Sequence, residues 1–189
     1  MNDLPTEPAD PDLGLRAIGF LATVAGALTA GIGAMLTWVS VSLPGTIPEV
    51  YLGVDLLEGT IALGLAVVAL AGVLLSRIAA TGSARRGAAV TVLVVGMALV
   101  AIAGGEALTA QTRFRDDVVR DVTGAVDASV DTTALEAAID VQRGVGLWLT
   151  LVGGLATAAG GLVTLAWASR RVPAGDGGAA QPRPDAEVG

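Results

Sequence analysis

The chain has 189 residues, 53% apolar and 15% charged, with a net charge of −7 and a mean hydropathy of +0.70, a balance that belongs to membrane proteins. It contains no cysteine and no histidine, and all eleven basic residues are arginine. Disulfides, thiolate or imidazole metal ligands, the commonest catalytic bases and the lysine of Schiff-base or P-loop chemistry are thereby excluded, leaving only carboxylates as metal ligands.

Residues 1–14 open as MNDLPTEPADPD, with four acids, three prolines and almost nothing to bury, and are expected to be disordered. An acidic start and an over-long apolar run argue against a secretory signal, so the first span is expected to stay uncleaved. That span covers about 17–39. Within it Ala22, Gly26, Ala30 and Ala34 recur every four residues and form a small-residue face on which another helix can pack closely; the alternative is the general abundance of alanine and glycine. Phe20 and Trp38 mark its interfaces. SVSLPGTIPEVYLGVDLLEG follows as a short outer loop broken by Pro44, Gly45 and Pro48.

The second span covers about 56–75, with Asp55 and Glu58 at its mouth. Arg77, Arg85 and Arg86 flank a tight connection, and the third span covers about 88–107, placing Glu106 near its far interface. Residues 107–143 are charged but patterned. Phe114, Val118, Val122 and Val126 recur every four residues, with Leu108 and Gln111 extending the face, as in an amphipathic helix. Arg113 with Asp117 and Asp116 with Arg120 form i, i+4 pairs. After a break near 127–131, Thr133 and Glu136 form a candidate capping box for a helix that carries Leu135, Ala138, Ile139 and Gln142 inward and continues into the fourth span.

That last span, about 144–168, is the best marked. Between Arg143 and Arg171 lie 27 residues, uncharged up to Arg170, and Trp148 and Trp167 stand about 28 Å apart at 1.5 Å per residue, close to the hydrocarbon thickness. Trp38, Trp148, Trp167, Arg143, Arg170 and Arg171 are therefore the candidate interface anchors. Gly153, Thr157 and Gly161 give a G-x-x-x-G type face, for dimerisation or for packing within one bundle. Residues 172–189 are rich in Pro, Gly and Ala and are expected to be disordered.

The fold class this implies is all-α: an integral membrane four-helix transmembrane bundle over 15–171, with an extracytoplasmic helical hairpin between the third and fourth spans. Seven arginines fall on the side of the two tails and four on the other, which predicts cytoplasmic termini in the plasma membrane. LTWVSV at the end of the first span, GVDLLEGTIALGLAVVAL opening the second, the arginine turn, and RGVGLWLTLVGG opening the last resemble small four-helix membrane proteins of actinobacteria, such as the tryptophan-operon-associated membrane protein family. The resemblance implies a plasma-membrane protein with no established activity.

No span carries an ionisable group at its centre, and no nucleophile–base pair, metal constellation, cofactor motif or nucleic-acid patch is present. The leading expectation is a non-enzymatic protein embedded in the lipid bilayer, binding a membrane or envelope protein through 107–143. The alternative is a small transporter or accessory subunit moving a cation or proton through Asp55, Glu58 and Glu106, which share a depth; solvated helix ends would look the same. Oligomeric state is not specified by the sequence.

Overall fold

The computed structural model describes residues 11–45, 47–79, 81–125, 133 and 137–170. Four helices are long and apolar enough to cross a membrane. They are α1 (Pro11–Met35), α2 (Leu57–Ile78), α3 (Gly82–Ala125) and α4 (Val145–Arg170). Around the bundle α1 packs on α2, α2 on α3, α3 on α4, and α4 back on α1, so α2 and α4 occupy opposite corners.

Glycine spacing explains how α1 and α4 meet. Gly19, Gly26 and Gly33 recur every seven residues, as do Gly146, Gly153 and Gly160. Running antiparallel, they pair as Gly19 with Gly160, Gly26 with Gly153, and Gly33 with Gly146. The backbones come so close that a methyl group on Gly26 or Gly33 would lie 2.6 Å from an α4 backbone nitrogen. Such proximity is how helices gain van der Waals contact in lipid, which offers no hydrophobic force between them. Four residues after four of these glycines stands a threonine. Thr23, Thr150, Thr157 and Thr164 each donate Oγ1 to that glycine's carbonyl at 2.8–2.9 Å, so the seam buries hydroxyls without leaving them unpaired.

The doubled glycines of α4 follow from its corner position. Gly153 and Gly160 face α1, whereas the adjacent Gly154 and Gly161 face Leu99, Val100 and Leu93 of α3. Consecutive residues on a helix point about 100° apart, so one glycine of each pair serves each neighbour. Gly153 and Thr157 thus share the α1 face, and Gly161 belongs to the other. On α1, Gly26, Ala30 and Ala34 are buried while Ala22 is half-buried.

The all-α expectation is corrected by a small antiparallel sheet at the end opposite the start of α1 and the end of α4. It comprises β1 (Thr37–Ser42), β2 (Glu49–Leu52) and β3 (Asp140–Arg143), in the order β2-β1-β3. Thr37 pairs with Leu52 but Val39 with Tyr51, so Trp38 is the extra residue of a bulge. A turn at Pro44 and Gly45, the glycine at φ +83°, leads from β1 toward β2, as Pro-Gly favours.

Four further corrections follow. The first helix begins at Pro11 and ends at Met35, so residues 11–14 of the expected tail are helical and residues 37–39 of the expected span are strand. Trp38 is fully buried, donating Nε1 to the Gly33 carbonyl at 3.0 Å; the bulge turns its indole into the protein, away from any lipid boundary. The fourth helix does not run on from Thr133. Although Thr133 is helical, Val39 to Ser42 pair with Arg143 to Asp140, and Gly144 donates to the Trp38 carbonyl at 2.7 Å. The open edge of β1 takes those backbone groups, and Ile139 and Val141 bury as alternate residues do on a strand. Lastly, Leu108 is 81% exposed and Gln111 is exposed. The buried face of α3 runs through Ala103, Ala107 and Ala110 to half-buried Phe114 and Val118. The side chains of Val122 and Val126, the break near 127–131, the partners Leu135 and Glu136, both tail ends and Arg171 lie outside the described residues, as does the Arg170 side chain.

Candidate functional site

The third helix is uninterrupted by proline for 44 residues, longer than a bilayer needs at about 1.5 Å per residue. Its C-terminal half therefore runs on past α2 and lies alongside the sheet. Two features result.

The first is an ion-pair triad. Glu106 and Arg113 are two turns apart on one face of α3, and Glu58 sits in the first turn of α2. Arg113 donates to Glu58 Oε1 at 2.9 Å and to Glu106 Oε1 at 3.0 Å. The side chain of Glu106 is only 7% exposed, against 29% for Glu58 and 50% for Arg113. Its Oε2 is buried with no hydrogen-bond partner, so one arginine nitrogen carries most of the compensation for burying that carboxylate. Arg113 thereby leaves Asp117, its expected i, i+4 partner, and ties α2 to α3.

Asp55, Glu58 and Glu106 do not converge as one set. Glu58 and Glu106 meet at Arg113, while Asp55 ends a 3₁₀ turn (Gly53–Asp55) and accepts from the Leu52 N–H at 3.1 Å, exposed to solvent. Among the described residues no group of three or more acids is arranged to hold a metal ion.

The second feature is a groove between the β1–β2 hairpin and the α3 extension. It has a volume of about 300 Å³, an apolar floor of Val41, Leu43 and Val118 with Ile47 at the mouth, and a rim of Glu49, Asp117 and Asp121, with Tyr51 between. The Tyr51 ring packs on Phe114 with centroids 5.2 Å apart, and its hydroxyl donates to Glu49 Oε2 at 2.9 Å. That hydrogen bond, then burial, then the charges of Glu49, Asp121 and Asp117 hold the Tyr51 hydroxyl above its ordinary pKa of 10.0. Ile47 is 89% exposed at the groove mouth.

Of the anchor residues, Trp148 is half-exposed and Trp167 is buried under the Arg16 guanidinium. Arg143 lies exposed on β3, opposite Val39. The groove was not anticipated from sequence. Its signals were TWVSVS and EVYL flanking a Pro-Gly turn, a readable hairpin pattern; Arg113 as a bridge had no local signal, since Glu58 lies 55 positions away.

No family model matches the chain, and no curated protein matches it.

Proposed function

We propose that this is a non-enzymatic, multi-pass membrane protein that binds a membrane or cell-envelope protein through the groove between the hairpin and the α3 extension. The observation that carries the reading is the apolar floor ringed by three carboxylates. An apolar segment bearing arginine or lysine would bury its aliphatic part on Val41 and Leu43 and meet the rim with its charge. The seven-to-four arginine bias supports cytoplasmic termini, and with that orientation the groove would face the outer side of the plasma membrane. A reporter fused after Gly189 should then be active only in the cytoplasm.

The test is site-specific photocrosslinking in the native membrane. A probe at Ile47 should trap a defined protein, a probe at Leu74, exposed on α2 away from the groove, should not, and Asp117→Lys with Asp121→Lys should abolish the Ile47 adduct. An Ile47 adduct unchanged by the charge reversal, or none at all, would sink the reading.

The buried, half-satisfied carboxylate of Glu106 supports a second reading, movement of a proton or cation past Glu58 and Glu106. Under it, Glu106→Gln should abolish flux in proteoliposomes; wild-type vesicles without flux would rule it out.

A further inference from the structure

At the opposite end of the bundle, where α1 begins and α4 ends, three helices bring arginines to one cleft. Arg16 is in the second turn of α1, Arg77 in the last turn of α2 and Arg85 in the first turn of α3, and all three line a cleft of about 40 Å³ walled by Phe20, Thr164 and Trp167. Each guanidinium is held by a ring face or a backbone carbonyl. Arg16 stacks over the Trp167 ring at 4.5 Å, Arg77 over the Phe20 ring at 4.1 Å, and Arg85 donates Nε to the Ala79 carbonyl at 3.0 Å. Stacking uses the face of a guanidinium and leaves the N–H donors on its edge available for a planar or tetrahedral oxyanion. Among the described residues none of the three makes an ion pair with a carboxylate.

Three fixed cations around one small cleft repel one another, and an anion placed among them relieves that repulsion most where the surroundings are least polar. Phosphate oxygens match the arginine fork. The cleft lies at the ends of spanning helices, the depth of lipid headgroups, and its walls are partly apolar. We infer that it is a binding site for the phosphate of an anionic phospholipid headgroup, with Phe20 and Trp167 against the glycerol region.

The full-length protein, purified in mild detergent, is incorporated into nanodiscs of equal parts phosphatidylcholine and phosphatidylglycerol, and the lipid retained after re-extraction is weighed by native mass spectrometry. Wild type should retain phosphatidylglycerol in preference to phosphatidylcholine. Arg77→Gln and Arg16→Gln should each weaken retention about tenfold, equivalent to roughly 1.4 kcal/mol, whereas Arg77→Lys should keep part of it, having the charge but not the fork. Melting in phosphatidylcholine alone separates folding from binding: glutamine variants that melt with wild type yet lose the lipid support the site. Arg115→Gln, exposed on the α3 extension at the far end, should retain as wild type does. Equal retention by wild type and both glutamine variants overturns the inference. So does protection by inorganic phosphate equal to that by phosphatidylglycerol, which would make the cleft a soluble-phosphate site, and so does a wild-type protein that retains neither lipid because the chain's own acidic ends occupy the cleft.

Discussion

Helices α4 and α2 stand at opposite corners of the same bundle, yet they are held in different ways. α4 meets both neighbours through glycines, backbone against backbone, with its threonine hydroxyls satisfied inside the helix. α2 meets α1 across a groove of about 210 Å³ lined by side chains such as Leu63, Ala66, Val67 and Leu70, and is secured to α3 at its sheet end by Arg113. A backbone seam is dense and tolerates no added atom; a side-chain seam leaves room and depends on particular pairs. The fixed helix is the one that leads directly from β3, and the looser one carries Glu58 and Arg77, a member of each candidate site.

The largest effect should come from the dense seam. Gly26→Val places side-chain atoms where the backbone of Thr157 and the carbonyl of Gly153 already are, and neither can yield without moving a helix. Overpacking of this kind costs about 3 kcal/mol or more, read as a lowered midpoint in denaturing-detergent titration. If Gly26→Val unfolds with wild type, the seven-residue glycine pairing is wrong.

Arg113→Ala should come next, because it strips the partner from Glu106 and Glu58 together. Arg113 is half exposed, so solvent screening brings the expected loss to about 1–2 kcal/mol, below the value for a fully buried pair. Adding Glu106→Gln should recover part of that loss, since a neutral amide needs no cation. A double variant as unstable as Arg113→Ala would show that the arginine acts through packing alone.

A gain is expected on the looser side. A methyl group on Gly31 of α1 would find Ala66 Cβ at 3.7 Å, an ordinary contact, and alanine favours helix over glycine by up to about 1 kcal/mol. Gly31→Ala should raise the same midpoint by roughly 0.5–1 kcal/mol. Gly26 and Gly31, five residues apart, should thus respond with opposite signs.

This contrast also explains what was legible in the sequence. The four spans were, because long uncharged runs have few other solutions. The small-residue face of α1 was visible at spacing four, but the period of seven was hidden in a background rich in alanine and glycine, and the double glycines of α4 acquire meaning only once both neighbours are known. The sheet went unread for two reasons. Thr37 to Val39 read as the end of the apolar run and Ser40 to Ser42 as the start of a loop, and DVQR is too short to outweigh the helical pattern before it; only the unpaired edge of β1 makes it a strand. Of the three carboxylates, Glu58 and Glu106 meet at Arg113, whereas similar depth could not reveal that Asp55 accepts from the Leu52 N–H in a turn instead.

The smallest effect concerns pH, to which the two regions should respond differently. The glycine seam between α1 and α4 is lined by glycine, alanine, threonine and aliphatic side chains, and among the described residues it carries no carboxylate or phenol. The hairpin is tied to the α3 extension beside Tyr51, whose hydroxyl donates to Glu49 and whose pKa is raised in the folded state, chiefly by that bond. A group with a raised folded pKa contributes its stabilisation in full below the unfolded value and loses it as pH climbs through the folded one, so the hairpin contact should weaken only above about pH 10. Tyr51 is the single tyrosine of the chain, so the phenolate absorbance band follows it alone. Its midpoint should lie above 10.0 and should fall in Glu49→Gln, which removes both the anionic acceptor and its charge. A midpoint at or below the ordinary value would mean that the hydroxyl is not held by Glu49 and that the groove rim is less fixed than the seam by more than the geometry implies.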